Sequence, residues 1–149
     1  MIGCVSVGLN DTKIQRSTKV SYAAPSGAFV AKPSDTLDRL WENTVNGNSI
    51  SFMSDCSDPS DPNLETIQQG ILHGVEHLKI LSSETITYND REALRSHTSG
   101  KVDGVDTEMD LIVFKKNNCI YTLNYVGVKP QFEDDKAVFG RFLDRFRAP

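Results

Sequence analysis

Two groups of residues in this 149-residue chain are of the types that do chemistry. The first is His73-Gly74-Val75-Glu76-His77, which matches the pattern His-x-x-Glu-His. On a helix, two histidines four residues apart share a face and can hold zinc, and the glutamate can act as general base toward a zinc-bound water. The second group is the cysteines Cys4, Cys56 and Cys119. No Cys-x-x-Cys occurs among them, so neither a redox motif nor a zinc ribbon is indicated. Asp55, Asp58 and Asp61 could offer oxygens to calcium, but their spacing lacks the Asp-x-Asp-x-Asp-Gly loop, and capping acids in a solvated loop account for them. His97 falls in a predicted strand with no Gly-x-Ser-x-Gly elbow beside it, and Tyr88, Tyr121 and Tyr125 read as strand-packing residues.

The elements that would position the histidines weigh against a zinc site. Leu64, Ile67, Ile71, Val75 and Leu78 recur at three- and four-residue intervals, which predicts a helix over 63–79 with Asp61 as N-cap and Pro62 at its first position. At about 100° per residue, His73 and His77 then point away from the apolar stripe toward solvent, where no walled cavity can form. A catalytic zinc also needs a third protein ligand, and Glu108 and Glu133 lie in no matching motif. The segment resembles the inverted zinc proteases, including Gly70 and Leu78 on its flanks, but the βα scaffold of that family has no room here. The reading is therefore no catalytic residue, no metal and no cofactor, with His73, Glu76 and His77 the candidates of a zinc-hydrolase alternative.

The rest of the chain reads as short strands, that helix, and a meander. Lys19–Ala23 alternates, 28–31 is a short apolar piece, and Ser49–Ser54 follows the Asn46-Gly47-Asn48 turn. Thr85–Asn89 alternates. Arg91–Val102, Val105–Phe114 and Cys119–Val126 predict three consecutive antiparallel strands, turned by Asp103-Gly104 and by Lys115–Asn118. Apolar residues on both faces of the middle strand near Phe114 imply cover on each side. A final helix follows Pro130, with Phe132, Phe139, Phe142, Leu143 and Phe146 as its stripe. Its acids Glu133, Asp134 and Asp135 fall in the first turn and Arg141, Arg145 and Arg147 toward the end, as the helix dipole favours.

Length and charge bound the job. One domain is expected at this size. With 16 basic against 20 acidic side chains, no broad nucleic-acid surface is expected. Met1-Ile2-Gly3-Cys4 resembles the end of a bacterial lipoprotein signal, in which the cysteine after a small residue becomes the lipidated first residue. The charged and apolar parts of such a signal are missing, so the chain reads as starting close to the processing site behind an initiator Met. Residues 1–18 would then be a flexible tether and 19–149 the domain. Setting Cys4 aside leaves Cys56 and Cys119 as an even pair near strand ends, where a bridge suits an oxidising compartment.

The order of elements resembles the PsbP-like fold, shared by a photosystem II extrinsic protein, a Ran-binding nuclear import factor and many bacterial lipoproteins. The carrying residues are Tyr22–Pro25 with Phe29, the Gly100-to-Gly104 hairpin, Val113–Asn117, Tyr121–Tyr125 and Phe139–Leu143. More narrowly, Trp41, Gly47–Ser51, Asp55-Cys56, Cys119 and the ending Phe146–Pro149 are similar to small uncharacterised bacterial lipoproteins. The resemblance implies an α+β fold, an α/β/α sandwich with a central antiparallel sheet, a helix after the first strands and a C-terminal helix. It also implies an accessory or binding role and no shared catalytic set. The expected function is a non-enzymatic, extracytoplasmic binding domain in the periplasm or at the outer membrane. It would be a monomer anchored by lipid on Cys4 and would bind an unknown protein or small molecule. An intracellular protein-binding adaptor is a further alternative, although the import factor's Ran-binding signatures are not recognisable.

Overall fold

Seven strands form one antiparallel sheet in the computed structural model, which describes residues 14–149. Cys4 and the rest of 1–13 lie outside the described residues. The strands are β1 (Phe29–Lys32), β2 (Arg39–Asn43), β3 (Ser49–Asp55), β4 (Glu76–Tyr88), β5 (Arg91–Val102), β6 (Val105–Lys116) and β7 (Cys119–Val128), in the spatial order β1-β2-β3-β7-β6-β5-β4. Helix α1 (Leu64–Leu72) follows β3, and a 3-10 helix (Lys129–Asp135) leads into α2 (Lys136–Arg145) after β7. Among the described residues no helix is long and apolar enough to cross a membrane.

Local chemistry sets the meander. Its three hairpins turn on Asn89-Asp90, Asp103-Gly104 and Asn117-Asn118, and all six residues have positive φ, between 50° and 80°. Type I′ turns require positive φ at both central positions, and Asn, Asp and Gly adopt it at least cost. Alternation along the strands then sorts side chains to two faces. Ile112, Phe114, Tyr121, Leu123, Tyr125, Ile50, Phe52 and Trp41 bury one face against Phe132, Phe139, Phe142 and Phe146. On the other face Met109, Leu111 and Val113 pack under Leu64, Ile67, Ile71 and Leu72 of α1. Leu111 through Phe114 are therefore all buried, as expected of a strand covered on both sides.

The structure corrects the sequence reading in four places. The helix expected over 63–79 stops at Leu72: Gly74 follows, and short bonds from the His73 and Val75 amides to the Gly70 and Leu72 carbonyls tighten its end. Val75 still reaches the same apolar cluster, and from Glu76 the chain is strand, paired with β5. The N-cap is Asn63, whose Oδ1 accepts from the Thr66 amide at 2.8 Å, and not Asp61. The alternating segment Lys19–Ala23 adds no strand; only Ser21 bridges to Arg147. The last helix begins at Lys136, and Glu133 to Asp135 belong to the 3-10 turn before it.

That 3-10 turn is held by a buried polar hub. Asp135 is 8% exposed, and its Oδ2 accepts from the side-chain amides of Asn43 (3.0 Å), Asn46 (3.0 Å) and Asn48 (2.8 Å). The Asn48 amide also reaches the Tyr125 hydroxyl and the Gln131 carbonyl, and Tyr125 donates to the Phe132 carbonyl at 2.5 Å. Gly127 gives the hub its room: a Cβ there would stand 2.6 Å from Asn48 Oδ1 and 3.2 Å from the Phe132 Cα. Since Asn48 is fully buried and held on three sides, it cannot yield. Gly127→Ala should cost about 1–3 kcal/mol through overpacking; a chemical-denaturation midpoint equal to wild type would contradict this.

Burial also pushes the Tyr88 and Tyr125 hydroxyls well above the usual phenol range. A raised folded value means the unfolded chain ionises first, so the stabilising contribution is intact below the ordinary value of 10.0 and is lost as pH rises past it. Tyrosinate absorbance of the folded protein should therefore titrate for fewer than the chain's four tyrosines, the remainder appearing together with unfolding. Smooth titration of all four at the free-phenol value in folded protein would refute it.

Candidate functional site at the disulfide end of the sheet

The ends of β3 and β7 meet at a disulfide between Cys56 and Cys119. Its position follows from the register. Asp55 pairs with Ile120 in the β3–β7 ladder, so the next opposed positions are 56 and 119. On the other side Cys119 pairs with Lys116 of β6. Lys116, Cys119 and Cys56 thus form a row across three adjacent chains, with side chains of directly opposed residues only about 5 Å apart.

Beyond this row the loop from Cys56 to Asn63 runs out and returns to α1, leaving a groove of about 510 Å³ against the β6–β7 turn. The disulfide lines it, together with Asp58, Asp61, Arg91, Lys115 and Lys116. A second hollow of about 290 Å³ beside the start of α1 shares Arg91 and Lys115, so these two cations stand where the hollows meet. Lys115 holds the loop in place: its Nζ donates to Asp61 Oδ1 at 2.9 Å and to the Pro62 carbonyl at 2.8 Å. Among the described residues neither Arg91 nor Lys116 has a carboxylate partner. A groove of this size and mixed charge suits a small polar ligand.

The loop acids do not converge. Asp55 Oδ1 accepts from the amide and hydroxyl of Ser57, and Asp58 Oδ1 does the same with Ser60. The bonds from Ser60 hold the exposed Asp58 carboxyl below its usual range. With Asp61 turned to Lys115, the three carboxylates serve three separate partners, and no group of three metal-ligating side chains occurs among the described residues.

The His-x-x-Glu-His segment is divided between elements. His73 caps the end of α1, Glu76 opens β4, and His77 lies in β4 with φ at 54°. The shared helical face on which two zinc ligands would stand is absent. His97, in β5, stacks on Phe132 at 5.3 Å between ring centres and lies 3.5 Å from Glu108. Tyr88, Tyr121 and Tyr125 direct their hydroxyls to Leu143, Ser17 and Phe132 as packing residues. Ser17 itself, assigned from sequence to the tether, is bound with Gln15 and Arg16 along the end of β3. Sequence reasoning missed Arg91 and the role of Lys115. The Lys115-Lys116 pair was legible only as a turn, because the loop that gives it a groove returns from residues more than fifty positions earlier.

No family model matches the chain, and no curated protein sequence does. Solved structures do. LpqN, involved in cell envelope biogenesis of Mycobacterium tuberculosis, superposes with a TM-score of 0.66 at 12% identity, covering 97% of each chain. Cyanobacterial PsbP (CyanoP) from Synechocystis sp. PCC 6803 superposes at 0.62 with 11% identity, over 100% of this chain and 99% of its own. A Pseudomonas aeruginosa protein of unknown function superposes at 0.53 with 10% identity, covering 87% and 81%. At these identities the likeness is one of fold.

Proposed function

The chain has the PsbP-like fold, and on that fold we propose an extracytoplasmic accessory domain, non-enzymatic, that binds a small polar ligand in the groove at the disulfide end and is held to a membrane by lipid on Cys4. The observation that carries this reading is the disulfide lining an open groove rimmed by charges of both signs. Disulfides persist in oxidising compartments, which fits the periplasm or the outer membrane. The envelope role printed for LpqN supports the same address. The tether leaves the domain at Gln15, beside Cys56, so the groove and the proposed anchor share one end of the sheet.

Two measurements test the address. In the native cells the protein should sediment with membranes, and Cys4→Ser should release it; equal partitioning of both forms overturns the anchor. In protein purified without reductant, Cys56 and Cys119 should resist alkylation until a reductant is added; free reaction of both overturns the oxidising compartment.

A further inference from the structure

We propose that Cys56–Cys119 is a site of thiol–disulfide exchange, in which a small-molecule thiolate enters the groove, attacks Cys56, and displaces Cys119 as a thiolate stabilised by Lys116. Three observations on the molecule converge on it. The bridge is not buried under the core: both cysteines keep partial exposure, and both line the 510 Å³ groove. It adds little to strand alignment, because seven consecutive residue pairs from Ser49 to Asp55 already fix β3 on β7. And the two sulfurs stand in different surroundings. Cys119 has Lys116 as its direct cross-strand neighbour, with no carboxylate on that lysine among the described residues, and it packs against the aromatic core. Cys56 begins the loop that walls the groove.

That asymmetry sets the direction of exchange. A neighbouring ammonium favours the thiolate form of a cysteine, and a lower leaving-group pKa speeds its departure. The incoming thiol gives its proton to solvent and its sulfur bonds to Cys56 Sγ. The Sγ–Sγ bond breaks, and the electron pair stays on Cys119. A second thiolate then attacks the sulfur of the mixed disulfide, leaving Cys56 as thiolate and releasing the oxidised small-molecule disulfide. The protein bridge is reduced and two thiols are oxidised, so the exchange needs no other reactant and runs in reverse with an oxidised donor. A groove of this volume has room for a thiol of tripeptide size. The inference needs the disulfide but not the lipid anchor, so it survives failure of the membrane assignment.

Reduced glutathione is the probe, applied to the folded, oxidised protein with mass analysis of quenched samples. Formation of the mixed disulfide should be first order in glutathione, with the adduct on Cys56 and the free thiol on Cys119. A change of about one unit in the Cys119 thiol pKa alters the rate by about threefold at a Brønsted coefficient near 0.5, so Lys116→Gln should slow exchange by about that factor and Lys116→Arg should restore it. Circular dichroism confirms that each variant is folded. A rate that does not depend on glutathione concentration would mean the bridge opens only on unfolding and would overturn the proposal. An unchanged rate in Lys116→Gln, or an adduct on Cys119, would overturn the assigned direction. A protein dithiol such as thioredoxin forms the second arm: reduction by it alone, with glutathione inert, would overturn the small-molecule site.

Discussion

Asp135→Ala should remove about 3–5 kcal/mol of folding stability, read as a large fall in the urea midpoint at an unchanged m-value. Asp135 Oδ2 is the common acceptor for the side-chain amides of Asn43, Asn46 and Asn48, and Asn43 and Asn48 are themselves buried. Deleting the carboxylate leaves these donors facing each other in a space closed to water, and each unsatisfied donor costs about 1–3 kcal/mol. The loss is also mechanical: the hub is where the β2–β3 turn meets the 3-10 helix, so its removal loosens the lead into α2. Asn46→Asp tests the same hub from the other side, since it sets a second carboxylate against Asp135 within hydrogen-bonding range. A stability change below 1 kcal/mol for Asp135→Ala would show that the hub is not fixed as described.

Phe142→Ala should cost about as much, 3–5 kcal/mol for a buried phenylalanine cut back to alanine. Phe142 is 2% exposed and its ring lies 5.5 to 6.4 Å from the rings of Tyr22, Trp41, Phe52, Phe139 and Phe146. These partners come from the N-terminal segment, β2, β3, α2 and the C-terminus, so one side chain joins elements distant in sequence. The cavity cannot be closed by a single rotamer change among neighbours that are themselves interlocked. Phe142→Leu, which keeps most of the volume, should retain most of the stability. Equal thermal midpoints for Phe142→Ala and wild type would refute the packing assigned to this cluster.

Local signals carried most of the fold. The Asp103-Gly104 and Asn117-Asn118 turns and the phenylalanine stripe at the C-terminus were legible because turn chemistry and periodicity act over a few residues. The end of α1 was not, for a specific reason: Val75 and Leu78 continue the three-and-four spacing although they sit beyond the helix. Val75 packs into the same cluster from an extended backbone, so periodicity could not tell the two conformations apart. Gly74 was the available signal, a residue favoured just past a helix end. The hub was illegible because Asp135 read equally well as a charge at a helix start. Its three asparagine partners lie about ninety residues earlier, and nothing local tells a buried carboxylate from an exposed one. The candidate groove was half legible: the cysteine pair was apparent, and its cationic rim was not.

The seam between β3 and β7 has a consequence in time. Every other strand pairing joins neighbours in sequence: β1–β2–β3 is one meander, and β4 through β7 is another with three tight turns. Each half can form by short loop closures, which are fast. Joining them requires chain segments 63 residues apart at their nearest bridged positions to meet, at the largest entropic cost in the topology. The halves therefore form first and the seam last. Cys56 and Cys119 lie at the open end of that seam, so the first moment at which their sulfurs face each other is the moment the protein becomes whole. In a nascent chain, oxidation of this pair is a clock that starts only when folding ends.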